Sequence, residues 1–446
     1  MQTIDLVEYE SRRVRTAAPT SDDLILAERL AAAGDIDAHL EVRWLADGRI
    51  DVQASSWVGV VRFSSVEIRV VPKLVGGTLR VLQMIEYSEG VRLLAHLPPD
   101  QQLAVSGDDL FQLLVRVLVG ESKLLIRDGL LRDYRPTEDT LAVMRGRLRM
   151  RDQFLKRYGS LHRLECNFDE YDGDIAENQL LAASLTAAAS HVRASALRNE
   201  TRMLAGVIGD ICQPPTFDPD WYEQRIHYGR RNSRYEGAHK AALLVLRGLA
   251  LNDLHSASRQ GVNAFMVNMN VIFERFVSAL VDQALSGTGL RSTPQLSIRA
   301  IVVDESTNRT YSNIRPDLVI TEVNSARSVP VDIKYKLYDT VKFSSADVYQ
   351  LFTYAYALGA GAEEKMAGVI YASTTTTSGP ALRIKGNTGI AAARLRGAGL
   401  DVAAALDNIA SGDPTATYCR VRAMLRNITG LAIVDPTDRR ANSVGG

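Results

Sequence analysis

The sequence predicts a multidomain α+β fold: an N-terminal β-rich module over residues 1–76, a helical connector over 77–260 and a C-terminal α/β domain over 261–446. Three observations carry this expectation. The first part of the chain alternates apolar and polar residues at period two, with Gly- or Ser-containing turns between the runs. From about Leu79 the apolar spacing changes to three and four, which is the spacing of helices. From about Gly261, helix-like and strand-like apolar runs alternate in the order α-β-β-β-α-β.

In the N-terminal module "LEVRW" and "RIDVQ" flank Ala46-Asp47-Gly48, and "VGVVRF" and "VEIRVVP" flank Ser64-Ser65, so each pair is expected to form a β-hairpin. Ahead of them "SDDLILAERLAAAG" reads as a short helix, with Ser21 as its N-cap and Gly34 at its end. The module ends near Val75-Gly76-Gly77. The connector opens with the helical stretches "LRVLQMIEYSEG" and "DDLFQLLVRVLVGESKLLIRDGLLRDY". Its middle is unusual: the basic run "MRGRLRMRDQFLKRYGSLHR" is followed at once by the acidic "ECNFDEYDGDIAE". Next come "NQLLAASLTAAASHVRASAL" and "GAHKAALLVLRGLAL", both of strong helix propensity, separated by a Pro- and Asp-broken segment with a second basic cluster at Arg230 and Arg231. The C-terminal domain runs from the helix "NVIFERFVSALVDQAL" through the strands "LSIRAIVVDE", "RPDLVITE" and "SVPVDIKYK" to the helix "SADVYQLFTYAYALG" and the strand "MAGVIYAS". The polar tail "DPTDRRANSVGG" reads as a frayed end.

Composition excludes several classes. Fifty-two basic residues balance fifty-two acidic ones, so any nucleic-acid surface must be a local patch. The three cysteines lack CxxC spacing, which argues against a disulfide framework or a zinc ribbon and fits a reducing cytoplasm. The N-terminus has no apolar signal core, and no run reaches the roughly 18 apolar residues of a membrane span, so a cytoplasmic protein is expected. His239 and His255 lie in helical stretches with no second histidine at metal spacing and read as structural residues. There is no G-x-x-x-x-G-K-[ST], so no nucleotide is expected to bind this chain by that route.

The chemistry is sought where two apolar strands carry charges. In "VDIKY" the period of two puts Asp332 and Lys334 on one face, while Val331, Ile333 and Tyr335 face the packing. If "RPDLVI" runs alongside, Asp317 reaches the same face. Two carboxylates and the Ile333 carbonyl then form a hard, all-oxygen site of the kind that suits Mg²⁺, with Mn²⁺ as a substitute. A lysine beside such a site can orient a nucleophilic water or stabilise charge on a phosphate. The bland alternative is a structural ion pair. Glu274, on the helix before the strands, is a candidate further metal ligand or a solvated residue; Gln350 and Tyr354, at i and i+4 on the helix after them, are accessory candidates or core residues. Lys336 shares the face of Lys334 and reads as solvated or as a phosphate contact. Arg145, Arg147, Arg149 and Arg151 also recur at period two, and a strand would present them as a phosphate-binding comb or as a face paired with the acidic run. Arg230 and Arg231 are further DNA-binding candidates.

The order of helix, strand with PD, strand with D-x-K and helix with Q-xxx-Y resembles a PD-(D/E)xK nuclease. More of the chain resembles the McrC family, the nuclease subunits of modified-cytosine (McrBC) restriction systems. "VGVVRFSSVEIRVVPKL", "MRGRLRMRDQF", "CNFDEYDGDIAENQLL", "MNVIFERFVSAL", "RPDLVI", "VDIKYK" and "DVYQLFTYAYALG" carry the likeness, over residues from about 56 to 375. Its most specific elements are the PKL that ends the β module, the RGR stretch and N-Q-L-L. The resemblance implies a Mg-dependent DNA endonuclease of the restriction-endonuclease fold with Asp317, Asp332 and Lys334 as its catalytic residues. It further implies a partner of the McrB type, a hexameric AAA+ GTPase ring that recognises the modified base and translocates double-stranded DNA. The N-terminal module would be a stalk that enters the ring and stimulates GTP hydrolysis, and a second copy of the chain would join the cleavage-competent assembly. Two other readings stay open: a non-catalytic adaptor that regulates an AAA+ motor, and a standalone DNA repair nuclease.

Overall fold

The computed structural model describes residues 1–32, 38–73, 77–90, 110–249, 263–325, 327–336, 338, 342–358, 365–375, 378–385 and 391–433. Gly34, Val75, Gly76, His255, Gly261 and the polar tail lie outside them.

The N-terminal part contains β1 (Gln2–Val7), β2 (Ser11–Arg15), α1 (Ser21–Ala32), β3 (Leu40–Trp44), β4 (Arg49–Ala54), β5 (Trp57–Arg62) and β6 (Val66–Val71). Both expected hairpins form, β3 with β4 and β5 with β6. The helix is capped by Thr20 rather than Ser21: the Thr20 hydroxyl accepts from the Asp23 N–H while the Asp23 carboxylate accepts from the Thr20 N–H at 2.8 Å. The buried Asp23 also accepts from the Ser64 N–H at 2.7 Å, which fastens the helix to the β5–β6 turn.

The connector begins with α2 (Thr78–Glu89) and α3 (Leu110–Arg127) but is not wholly helical. Its basic and acidic runs fold into β7 (Asp133–Leu141), β8 (Arg147–Leu148), α4 (Met150–Arg157) and β9 (Leu164–Asp172), a three-stranded antiparallel ribbon in the order β7-β9-β8. Few of its side chains are buried, so cross-strand pairs stabilise it: Tyr134 faces Tyr171 with ring centroids 5.0 Å apart, and Arg135 reaches Asp172 at 2.9 Å. The helices α5 (Ala176–Ala189), α6 (Ser195–Gly209), α7 (Pro219–Glu223) and α8 (Glu236–Leu249) follow. Asn178 of the N-Q-L-L stretch is fully buried and joins three segments, donating to the carbonyls of Leu131 and Gly173 and accepting from the Tyr235 hydroxyl at 2.9 Å. His239 is buried in the same layer, within 2.9 Å of the Glu177 carbonyl and 3.1 Å of the Tyr228 hydroxyl, and burial pushes its pKa down to about 4.

The next strand, β10 (Asn263–Asn268), returns to the N-terminal sheet, where it pairs antiparallel with β5 to complete the order β1-β6-β5-β10. Gly59 permits the approach: it has φ 145°, and a Cβ there would meet the Phe265 carbonyl oxygen at 2.0 Å. The chain then passes straight into α9 (Met269–Leu285), capped by the Asn268 side chain. One apolar core extends from Val58 through the connector helices to α9 and on to Ile433, so packing crosses both expected domain boundaries.

Thereafter come β11 (Leu290–Pro294), β12 (Ile298–Asp304), β13 (Arg309–Ile314), β14 (Leu318–Glu322), β15 (Ser328–Lys334), α10 (Ser345–Leu358), β16 (Lys365–Ser373), β17 (Ser378–Lys385), β18 (Ala391–Asp401), α11 (Val402–Ala410) and α12 (Thr415–Thr429). Six strands form a mixed sheet in the order β11-β14-β15-β16-β18-β17, with β15, β16 and β18 parallel. On β16, Met366, Ile370 and Ala372 join the core shared with α9 and α12, while Ala367, Val369 and Tyr371 join a second cluster with α10. Helices covering both faces explain the continuous apolar run "MAGVIYAS". No helix among the described residues is long and apolar enough to cross a membrane.

Candidate active site

The site lies where β14 and β15 part. The two strands pair antiparallel from Leu318↔Val331 onward, and Asp317 stands just ahead of β14, beyond the end of the ladder. Its carboxylate replaces a strand partner, accepting from the Ile333 N–H at 2.7 Å. In an extended strand the N–H and C=O of one residue point to the same edge, so the Ile333 carbonyl faces the side on which Asp317 lies. Val331, Ile333 and Tyr335 are buried in the core shared with α9, whereas Asp332 and Lys334 face α10, as the period of two requires.

Lys334 Nζ lies 2.9 Å from Asp332 Oδ2, 3.1 Å from Gln350 Oε1 and 4.0 Å from Asp347 Oδ1. Gln350 in turn donates to the Tyr354 hydroxyl at 2.9 Å, which donates to the Arg315 carbonyl at 3.3 Å. Gln350 and Tyr354 thus form one relay behind the lysine. Asp347 carries no assignment from the sequence, yet it anchors this side. It accepts from the hydroxyls of Tyr338 and Ser344, each at 2.5 Å, and pairs with Lys336 at 3.5 Å. The signal for it is local: Ser344-x-x-Asp347 caps the start of α10, with the Asp347 N–H donating to the Ser344 hydroxyl at 3.1 Å.

Burial, the nearby Asp332 charge and then Glu274 push the Asp317 carboxyl up to about 8. Glu274 is itself raised, first by burial, and its carboxylate accepts from the Gln295 amide. Gln295 has φ 51°, and its backbone N–H donates to the Asp317 carbonyl at 2.9 Å, so this strained turn braces the segment that carries Asp317. Burial disfavours the Lys334 ammonium, but the charges of Asp332, Asp317 and Asp347 hold its pKa above the ordinary lysine value. Burial likewise raises Asp347, yet its hydroxyl partners and the two lysines hold it below the usual carboxylate range.

Among the described residues no three Asp, Glu, His or Cys side chains form a metal-holding group. The set on offer is two carboxylates and strand backbone, which is enough for Mg²⁺, since that ion keeps most of its waters. Two features fit a cation. Asp332 Oδ2 is buried, and among the described residues no hydrogen bond of good geometry reaches it, although the Lys334 ammonium lies 2.9 Å away. The two carboxylates are also close enough to repel, a conflict that a divalent ion removes.

The arginines fare differently. The comb expected of Arg145, Arg147, Arg149 and Arg151 does not form, because β8 is only two residues long and α4 starts at Met150, which puts Arg151 on a helix. Gly146 causes the break: it has φ 68°, and a Cβ there would meet the Asn167 carbonyl oxygen at 2.3 Å. Arg145 lies 4.0 Å over the Phe168 ring and 3.4 Å from Glu170, and Arg149 pairs with Glu138 at 2.8 Å and with Asp152. Arg147 and Arg151 are exposed, as are Arg230 and Arg231, the last lying 3.4 Å from Asp133.

A family profile described as "McrBC 5-methylcytosine restriction system component" matches residues 52–372. The type IV methyl-directed restriction enzyme EcoKMcrBC of Escherichia coli (strain K12) is 23% identical over 285 residues, 60% of this chain and 78% of that protein. Among solved structures, a chain of the refined half-complex from the tetradecameric assembly of Thermococcus gammatolerans McrB AAA+ hexamers with bound McrC superposes with a TM-score of 0.57. It covers 96% of this chain and 100% of that one at 17% identity, which establishes a shared fold. A chain of the cryo-EM Thermococcus gammatolerans McrBC complex matches 64% of this chain and 88% of its own length, at 19% identity and a TM-score of 0.43. With the profile spanning well over half of the sequence, the chain belongs to the McrBC 5-methylcytosine restriction system component family.

Proposed function

We propose that this chain is a Mg-dependent DNA endonuclease of the PD-(D/E)xK type, the cutting subunit of a two-component, GTP-dependent restriction complex. The observation that carries the reading is the meeting of Asp317, Asp332 and Lys334 where β14 and β15 part. In this reading Asp317, Asp332 and the Ile333 carbonyl hold the metal, with Glu274 behind them as an outer carboxylate. Magnesium bound there supplies positive charge that polarises a phosphate oxygen and makes water more acidic. Lys334, fixed by Asp332 and Gln350, presents its ammonium to the charge that develops on the phosphate as water displaces one ester oxygen. The Gln350–Tyr354 relay keeps the lysine from turning away.

The partner in this reading is an AAA+ ring of the McrB type, in keeping with the assembly in which the similar archaeal chain is bound. The chain stimulates that ring's GTP hydrolysis and leaves recognition of the modified base to it. Residues 1–76 act as the stalk, 77–260 as the connector and 261–446 as the nuclease part. Cutting both strands of a duplex takes two nuclease sites, so two copies of this chain meet in the active assembly. The exposed Arg147, Arg151, Arg230 and Arg231 contribute phosphate contacts. With the partner, GTP, Mg²⁺ and methylated DNA present, Asp317→Ala and Asp332→Asn are each expected to abolish cutting while leaving GTPase stimulation intact. Full cutting by either variant ends the assignment, and a wild-type chain that stimulates GTP hydrolysis but never cuts establishes the adaptor reading instead.

A further inference from the structure

Beyond its core packing, the N-terminal sheet reaches the strand that carries Lys334 through a buried carboxylate, Glu8. β1 and β6 run parallel and end together, and Glu8 follows β1 while Pro72 and Lys73 follow β6. Glu8 is 1% exposed. Its Oε2 accepts from the Lys73 N–H at 2.8 Å and from the Tyr335 hydroxyl at 2.9 Å, while its own N–H donates to the Val71 carbonyl at 3.2 Å. The other oxygen, Oε1, is buried with no hydrogen-bond partner among the described residues. A glutamate in this setting is poorly solvated, and burial pushes its carboxyl up to about 7. A packing role alone would be met better by an apolar residue.

Tyr335 is the residue after Lys334. Its ring is 2% exposed and packs on Phe273 of α9, centroids 5.5 Å apart, and Phe273 precedes Glu274. One phenol therefore links the ends of β1 and β6 to the last turn of the lysine-bearing strand and to the helix that carries the outer carboxylate. The PKL stretch of the sequence gains a role here, since its lysine contributes a backbone N–H to the same carboxylate.

We infer that Glu8 is a positioning residue that, through the Tyr335 hydroxyl, fixes the end of the lysine-bearing strand to the N-terminal sheet, so that the seating of that module governs the placement of Lys334. The inference rests on the nuclease reading above. It is tested with the full-length chain assembled with its AAA+ partner, GTP, Mg²⁺ and DNA carrying 5-methylcytosine. Tyr335→Phe removes one hydroxyl and keeps the ring, and Glu8→Ala removes its acceptor. Each is expected to lower the kcat of cleavage about tenfold, as for the loss of one positioning contact, with the KM for DNA, GTPase stimulation and Tm close to wild type. The double variant should be no worse than Glu8→Ala alone, because that variant already breaks the bond that Tyr335→Phe removes. Glu8→Gln, whose amide oxygen still accepts, should recover most of the rate. Wild-type kcat in Tyr335→Phe overturns the inference, as does a Glu8→Gln rate as low as that of Glu8→Ala. A loss in which KM rises while GTPase stimulation and Tm fall overturns it as well, by assigning the contact to stability alone. An inactive wild-type assembly brings down the nuclease reading and this inference with it, whereas the other outcomes leave the nuclease reading standing.

Discussion

The β14–β15 corner and the β7–β9 ribbon present the same residue types at the same period, and the fold treats them in opposite ways. In the corner, carboxylates crowd one another under cover, and Asp317 is pushed up to about 8. In the ribbon, carboxylates meet arginines: hydrogen bonds from Arg135 and from Arg157 hold Asp172 and Glu165 below the ordinary range. Repulsion kept in place by a packed core is a conflict that a bound cation would relieve. Charges that neutralise one another mark a scaffold.

The largest effect expected of this contrast is on cleavage. Lys334→Ala should cost on the order of 10²- to 10³-fold in cutting rate while calorimetric Mn²⁺ or Mg²⁺ binding persists, because the lysine is not a ligand. Equal loss of metal binding in Lys334→Ala and Asp332→Asn would put its role wrong. In the ribbon the sensitive residue is a glycine. Gly146→Ala forces a side chain onto the Asn167 carbonyl at a left-handed φ and should destabilise the ribbon by about 1–3 kcal/mol. Faster hydrogen exchange across β8 and β9 would register it, and unchanged protection would contradict the close approach.

The two regions should also respond to pH with opposite signs. A carboxyl raised in the folded state contributes stability that is complete below the unfolded carboxylate range and is lost as pH rises through its folded value. With Asp317 at about 8, the metal-free protein should therefore lose Tm progressively from about pH 4 to about pH 8 and level off above that. The buried His239, held down to about 4, acts with the opposite sign in the lower part of that window, so the loss is cleanest above about pH 6.5. Asp317→Asn should flatten the slope and Mg²⁺ should oppose it; a metal-free Tm that does not change across the window would mean the crowding is absent. The lowered Asp172 and Glu165 give stability present above the ordinary carboxylate range and lost as pH falls through their folded values, so acid should loosen the ribbon first. The smallest effect is expected from Arg147→Glu with Arg151→Glu. These two have no carboxylate partner among the described residues, so stability should stay within about 0.5 kcal/mol while the slope of log affinity against log salt falls by about 1–2. An unchanged slope would remove both from the DNA surface.

The contrast also explains what could be read from the sequence. "VDIKY" announces its geometry because Val331, Ile333 and Tyr335 supply a buried face, and burial enforces the period. The hairpins at Gly48 and at Ser64-Ser65 are local in the same sense. "RGRLRMR" has the period without the buried face, and its glycine turn and helix start settle its shape. The ribbon strands are not legible in the sequence because cross-strand pairs between distant residues, such as Tyr134 with Tyr171, leave no local apolar pattern. Asp347 was hidden for a related reason: its cap is legible, but its nearness to Lys334 follows from α10 packing on β15. Nothing within "NAFMVN" says that its partner is β5.

That last pairing has a consequence for how the protein is made. A ribosome delivers β1, β5 and β6 early, but the free edge of β5 stays open until residue 268 has emerged, because the strand that covers it is β10. Throughout that interval the nascent chain carries a strongly apolar strand, "WVGVVR", with one edge unpaired and ready to accept any extended segment nearby. The N-terminal sheet is thus begun first and finished late, and its completion coincides with the appearance of α9, the helix on which the candidate site is assembled.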